Sequence, residues 1–118
     1  MSSRNWREYS VEGVFLRFLV HENRMFKGKP VYEWLLQEAR RLGIHGGSAY
    51  RGIAGFGRHG VLHEAHFFEL AGSLPVEVGF VVSADEADRF VAHVGAQGLS
   101  LPYVKLPVDY GVTDGAAG

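Results

Sequence analysis

The sequence predicts an α+β fold, a four-stranded sheet with two helices on one face. Three observations carry this. Segments around 12–20, 48–54, 76–82 and 101–108 alternate their apolar residues at the two-residue period of a strand. Two others, 30–42 and 83–94, repeat them at helical spacing. The elements follow one another as β-α-β, loop, β-α-β, the βαββαβ order of a split βαβ or ferredoxin-like domain.

Each element has its own signal. Residues 1–11 are polar and mixed and read as a lead-in. From Glu12 to Val20, Val14, Leu16, Phe18 and Val20 share one face, and Phe15, Arg17 and Leu19 the other. Both faces are largely apolar, so this strand is central and covered on both sides. His21 to Lys29 reads as a polar turn. Pro30 suits the first position of a helix, where its missing N–H has no partner to lose. Val31, Leu35, Ala39 and Leu42 form the apolar stripe of that helix, with Glu33 near its positive end and Arg40 and Arg41 near its negative end. Gly43 fits the position just past the helix.

A second strand covers Ser48 to Ala54, and Gly55 to Gly60 is a glycine loop. Leu62 to Leu70 alternates weakly, as a two-sided strand or a short helix. Val76, Val78, Phe80 and Val82 mark a firm strand. Ser83-Ala84-Asp85-Glu86 is a capping box. Ala87, Phe90, Val91 and Val94 are the stripe of the second helix, which Gly95 ends. The last strand, Leu101 to Val108, contains Pro102 and Pro107, which assign it to an edge or cut it short. The domain thus spans 12–108, with a tail at 109–118. Two helices cover one sheet face. Phe15, Leu19 and Val81 lie on the other, which an oligomer is expected to bury.

Composition excludes several classes. The 118 residues include 16 glycines and no cysteine, so disulfide scaffolds and Cys-ligated metal sites are ruled out. No apolar run approaches the roughly 18 residues of a membrane span. The N-terminal residues have no apolar signal-peptide core, so a cytoplasmic protein without direct membrane insertion is expected. A net charge of −1 argues against a general nucleic-acid binder. The charge is uneven: residues 1–58 balance to +5 and residues 59–118 to −6, which directs the search for an anion site to the first half.

Gly55-Phe56-Gly57-Arg58-His59-Gly60 is a literal G-x-G-x-x-G. It follows the second strand and precedes no long helix, so it fails the context of a dinucleotide fingerprint. Its glycines still let backbone amides approach an anion, and Arg51 and Arg58 flank it, with Arg17 on the adjacent central strand. His59, His63 and His66 are spaced to line one helix face, as a divalent metal requires. On a strand His63 and His66 point apart. No nucleophile–base pair is visible, so no enzyme is expected.

Three stretches carry a family likeness. They are Lys27-Gly28-Lys29-Pro30-Val31-Tyr32-Glu33, Tyr50-Arg51-Gly52-Ile53-Ala54-Gly55-Phe56-Gly57 and Leu74-Pro75-Val76-Glu77-Val78. In this order and spacing, over residues 12–107, the chain resembles the PII-like family known as domain of unknown function 190, within the PII signalling superfamily. The resemblance implies a homotrimer with the open sheet faces packed around a three-fold axis. It implies a T-loop over His59 to Ser73 whose base is Gly55, Phe56, Gly57 and Arg58. It also implies an adenine nucleotide in the cleft between subunits, and a regulated partner such as a membrane transporter. Two PII features are missing. No glycine- and lysine-rich B-loop separates Val82 from Ser83, and Lys105 is the only Lys or Arg after Val94.

The leading expectation is a non-enzymatic sensor. It would hold a small anionic effector, an adenine nucleotide among the options, with Arg17, Lys27, Lys29, Arg51, Gly55, Phe56, Gly57 and Arg58, and signal through residues 57–73. The alternative is a metal-binding trimer, related in fold to the divalent-cation-tolerance proteins, that uses His59, His63 and His66.

Overall fold

Successive side chains of a strand point to opposite faces, so one pairing register decides what the whole sheet buries. In the computed structural model, which describes residues 10–56, 62–64 and 74–115, the central strand β1 (Val11–His21) has a neighbour on each side. These are the later strands Pro75–Val82 and Tyr103–Tyr110, both antiparallel to it. In chain order the first part of the molecule is β1, β2 (Met25–Phe26), β3 (Lys29–Pro30), α1 (Val31–Arg41) and β4 (Ser48–Arg51). It continues with β5 (Ala54–Phe56), β6 (Leu62–Glu64), β7 (Pro75–Val82), α2 (Ala84–Ala96) and β8 (Tyr103–Tyr110). The main sheet has the order β4-β7-β1-β8 with every neighbour antiparallel, the ferredoxin-like topology expected from the element order.

The register sets Leu16 opposite Phe80 and Phe18 opposite Val78. That face is buried through Leu16, Phe18, Val20, Val76, Val78, Phe80 and Val82. Val31, Trp34, Leu35 and Ala39 of α1 and Ala87, Phe90 and Val94 of α2 pack on it. Phe90 meets the edges of Phe18 and Phe80 at centroid distances of 5.8 and 5.5 Å. Each such ring contributes about 1.5–3 kcal/mol by burial. Among the described residues no helix covers the other face, and Leu19, Tyr50, Val81 and Leu106 are exposed on it.

Several boundaries shift from expectation, each for a local reason. Pro30 precedes α1 as its cap residue, at φ −59° and ψ 141°, because it is paired with Met25. The segment expected as a plain polar turn contains the β2–β3 hairpin. Its turn residues Lys27 and Gly28 have φ of 50° and 80°, the left-handed pair that a two-residue hairpin demands. Phe26 from this hairpin packs edge-on against Trp34, 5.1 Å between centroids. Trp34 thereby joins the core, whereas Leu42 of the expected stripe is exposed. Gly43, at φ +90°, does follow the C-cap of α1. In α2 the stop is Gly98, at φ +83° after the cap Gln97, and Gly95 lies inside the helix. β8 is an edge strand as its prolines indicate. It begins at Tyr103 and runs on to Tyr110, two residues into the expected tail, because Asp109 and Tyr110 still pair with β1. An edge strand has one unpaired side, which accommodates the missing N–H of Pro107.

The helices are fastened at their ends and to each other. Ser83 Oγ accepts from the Glu86 N–H at 3.0 Å, and Glu86 Oε1 accepts from the Ser83 N–H at 2.9 Å, closing the capping box. Glu38 of α1 is shared by Arg41, whose Nε donates to it at 3.0 Å, and His93 Nε2 of α2 at 2.9 Å. Hydrogen bonding from Arg41 holds the Glu38 carboxyl below its ordinary value. Partial burial opposes this and His93 adds to it.

Two outcomes are expected. Ser83→Ala should lower unfolding free energy by about 1 kcal/mol in urea denaturation, the usual value of such a cap. The stabilisation from Glu38 is full above its unfolded pKa and is lost as pH falls through the lowered folded value. Melting temperatures measured from neutral pH to about 3 should therefore fall less steeply in the acid limb for Glu38→Gln than for wild type.

Candidate functional site at the loop end of the sheet

The ends of β1 and β4 and the start of β7 meet at one end of the sheet, and there the chain leaves it. The Gly52 N–H donates to the Pro75 carbonyl at 2.7 Å. A Cβ at Gly52 would lie 2.9 Å from Pro75 Cγ, so this close departure from β7 needs glycine. The chain then runs into β5, which pairs with β6 through Ala54↔Glu64, Gly55↔His63 and Phe56↔Leu62. The second strand expected over 48–54 is thus broken after Arg51. The first residues of the expected glycine loop, Gly55 and Phe56, are strand. Leu62–Glu64 is strand too, one of the two alternatives read for 62–70.

Glu22, just past β1, holds both ends of this excursion. Its N–H donates to the Leu74 carbonyl at 2.8 Å, where the chain returns, and its carboxylate accepts from Arg51 Nε at 2.6 Å, where the chain departs. Sequence reasoning missed Glu22 because no spacing signal links positions 29 residues apart. It missed Gly52 as well, although a glycine directly after a strand signals close backbone approach.

The candidate cations separate into two groups. Arg17 and Arg51 are neutralised: Arg17 by Glu77 at 3.2 Å on the open sheet face, Arg51 by Glu22. Lys27 and Lys29 keep their charge. Lys27 Nζ donates to Gln97 Oε1 at 3.4 Å and lies 5.3 Å from the centroid of the Phe26 ring. Lys29 Nζ donates to the Gln37 side-chain oxygen. Arg24, which the sequence did not single out, donates to the Ser100 carbonyl at 3.3 Å. Among the described residues none of these three makes an ion pair, so the β2–β3 hairpin carries an uncompensated positive charge. Arg17 does not join it. Gly57, Arg58, His59 and His66 lie outside the described residues, and His63 is placed by its backbone opposite Gly55. Among the described residues no group of three His, Asp or Glu side chains could hold a metal.

β7 passes to α2 through Ser83 alone, so nothing stands at the place of the PII B-loop. The Glu86 amide at the start of α2 is already taken by Ser83. Two clefts of about 270 and 280 Å³ lie at the opposite end, around Ile44, and no residue singled out as a candidate ligand lines them.

The topology, with a loop leaving between the second and third strands of the main sheet, defines a ferredoxin-like α+β domain. Solved PII-like structures agree. The nitrogen regulatory PII-like protein CPII of Thiomonas intermedia, bound to ADP, AMP and bicarbonate, matches with a TM-score of 0.60 at 12% identity, over 89% of this chain and 99% of that one. A candidate PII-like signalling protein from Thermus thermophilus matches with a TM-score of 0.59 at 14% identity, over 87% and 93%. The chain belongs to the DUF190 family, described as an uncharacterized ACR, whose profile matches residues 13–98. It is similar to the UPF0166 protein of Aquifex aeolicus, 33% identical over 84 residues, 71% of this chain and 80% of that one. A UPF0166 protein of Methanocaldococcus jannaschii is 30% identical over 79 residues, 67% and 72% of the two chains. No described helix is long and apolar enough to cross a membrane.

If Glu22 clamps the loop base, Glu22→Ala should barely change global stability, by under about 1 kcal/mol as for an exposed pair. Amide hydrogen exchange over residues 51–56 and at Leu74 should accelerate, and unchanged exchange there would reject the clamp.

Proposed function

We propose that the protein is a trimeric, non-enzymatic PII-like sensor that binds a small anionic effector between subunits and reports it through residues 57–73. The observation that carries this reading is the uncompensated charge of Arg24, Lys27 and Lys29. It sits at the sheet end where the β5–β6 hairpin begins. An anion drawn there would lie next to the end of β1, through which Glu22 could pass the change to the loop base. The fold match to a protein solved with ADP, AMP and bicarbonate supports an adenine nucleotide or a small oxyanion as the effector class. The direct step from β7 to α2 implies that phosphate would be held by side-chain cations and not by a cradle of loop amides. The open apolar sheet face supports assembly. The reordered 57–73 segment would then dock on a regulated partner, for which the family resemblance suggests a membrane transporter.

Calorimetric titration with AMP, ADP, ATP and bicarbonate tests this. At least one should bind, and the double variant Lys27→Ala/Lys29→Ala should weaken it by about tenfold or more, the loss of one to two charge-assisted hydrogen bonds. Binding should fall with added salt. No binding of any of the four at millimolar ligand would end the reading.

A further inference from the structure

The open sheet face carries at its centre a charged pair that anion binding does not use. Arg17 on β1 and Glu77 on β7 lie there amid exposed Leu19, Tyr50, Val81 and Leu106. The Phe15 ring lies over Gly79: a Cβ at Gly79 would meet the ring at 2.7 Å. The Arg17 guanidinium sits 5.8 Å from the centroid of that ring, and its Nη1 donates to Glu77 Oε1 at 3.2 Å. The pair is half made. The side chains remain 32% and 33% exposed, and the enclosed Arg17 Nε has no acceptor.

An apolar face of this kind has to be covered, and covering it strips water from every unmatched donor of the guanidinium. The occupant must bring apolar surface together with a carboxylate for Arg17 and a cation for Glu77. A second copy of this chain brings all three on the same face. Because Arg17 and Glu77 lie on one face, head-to-tail contact sets the cation of one copy near the carboxylate of the next, and such contacts close into rings by rotation.

We propose that Arg17 of each copy pairs with Glu77 of the next across the open face, so that charge alternates around the assembly axis and selects which faces meet. This rests on the trimer of the proposed function. The test is native mass spectrometry with light scattering on the full chain. Wild type should be a trimer. Arg17→Glu, which leaves both sites acidic, and Glu77→Arg, which leaves both basic, should each weaken assembly by at least about 30-fold, as for truncating a buried interfacial charge pair. Mixing the two should give mixed trimers, in which two of three contacts are complementary. The double variant R17E/E77R should assemble alone.

Circular dichroism checks that each variant folds. Should a charge reversal fail to fold, Arg17→Met and Glu77→Gln read the same loss in the same assay. Single variants that assemble at wild-type strength would overturn the proposal. So would a mixture that stays apart while the double variant assembles, since the pair then acts within one copy. A monomeric wild type would overturn the trimer reading itself, and the pairing with it.

Discussion

The antiparallel register of β1 with β7 is the constraint on which the rest of the molecule depends. With Phe18 opposite Val78 and Leu16 opposite Phe80, seven apolar side chains of the two strands point to the helices and seat Phe90 between their rings. The same register sends Phe15, Arg17, Leu19, Glu77, Gly79 and Val81 the other way. A slip of β1 by one residue would exchange its two sets, turning Arg17 toward the helices and away from Glu77. Gly79 belongs to this constraint, because the Phe15 ring occupies the space where its side chain would be. Core, open face and charged centre thus follow from one set of strand pairings.

The loop end of the sheet shows a different economy of means. β4 is only four residues long, and the chain leaves β7 where Gly52 crosses Pro75. Glu22 joins the departing and returning segments with one backbone bond and one side-chain bond. The Arg51–Glu22 bond is exposed, so it adds little to global stability and holds the loop base only locally. Lys27 and Lys29 belong to a hairpin whose left-handed turn is made by Lys27 and Gly28, and their side chains reach Gln97 and Gln37. Side-chain cations recognise an anion mainly by charge, whereas a loop of amides recognises its shape.

Much of the fold was legible in the sequence, and the candidate site was legible only in part. The capping box at Ser83, the glycine after α1, the stripe of α2 and the two-sided central strand all rest on signals within about one or two helical turns. The hairpin at 25–30 escaped because its strands are two residues each, too short for alternation to register. Trp34 escaped because its burial depends on Phe26 from that hairpin. Among the candidate ligands, Lys27 and Lys29 lack an ion-pair partner among the described residues. Arg17 and Arg51 do not, since Glu77 and Glu22 neutralise them from 60 and 29 positions away.

The sequence alone determined the elements, their order, the missing B-loop and the family, because periodicity, caps and short motifs are local and survive being read in one dimension. Only the tertiary structure decided which charges are spent and which are available. Ion pairing depends on separations of a few ångströms between residues far apart in the chain. Among the four described candidate cations it left Lys27 and Lys29 on a basic hairpin at one end of the sheet and tied Arg17 to Glu77 and Arg51 to Glu22.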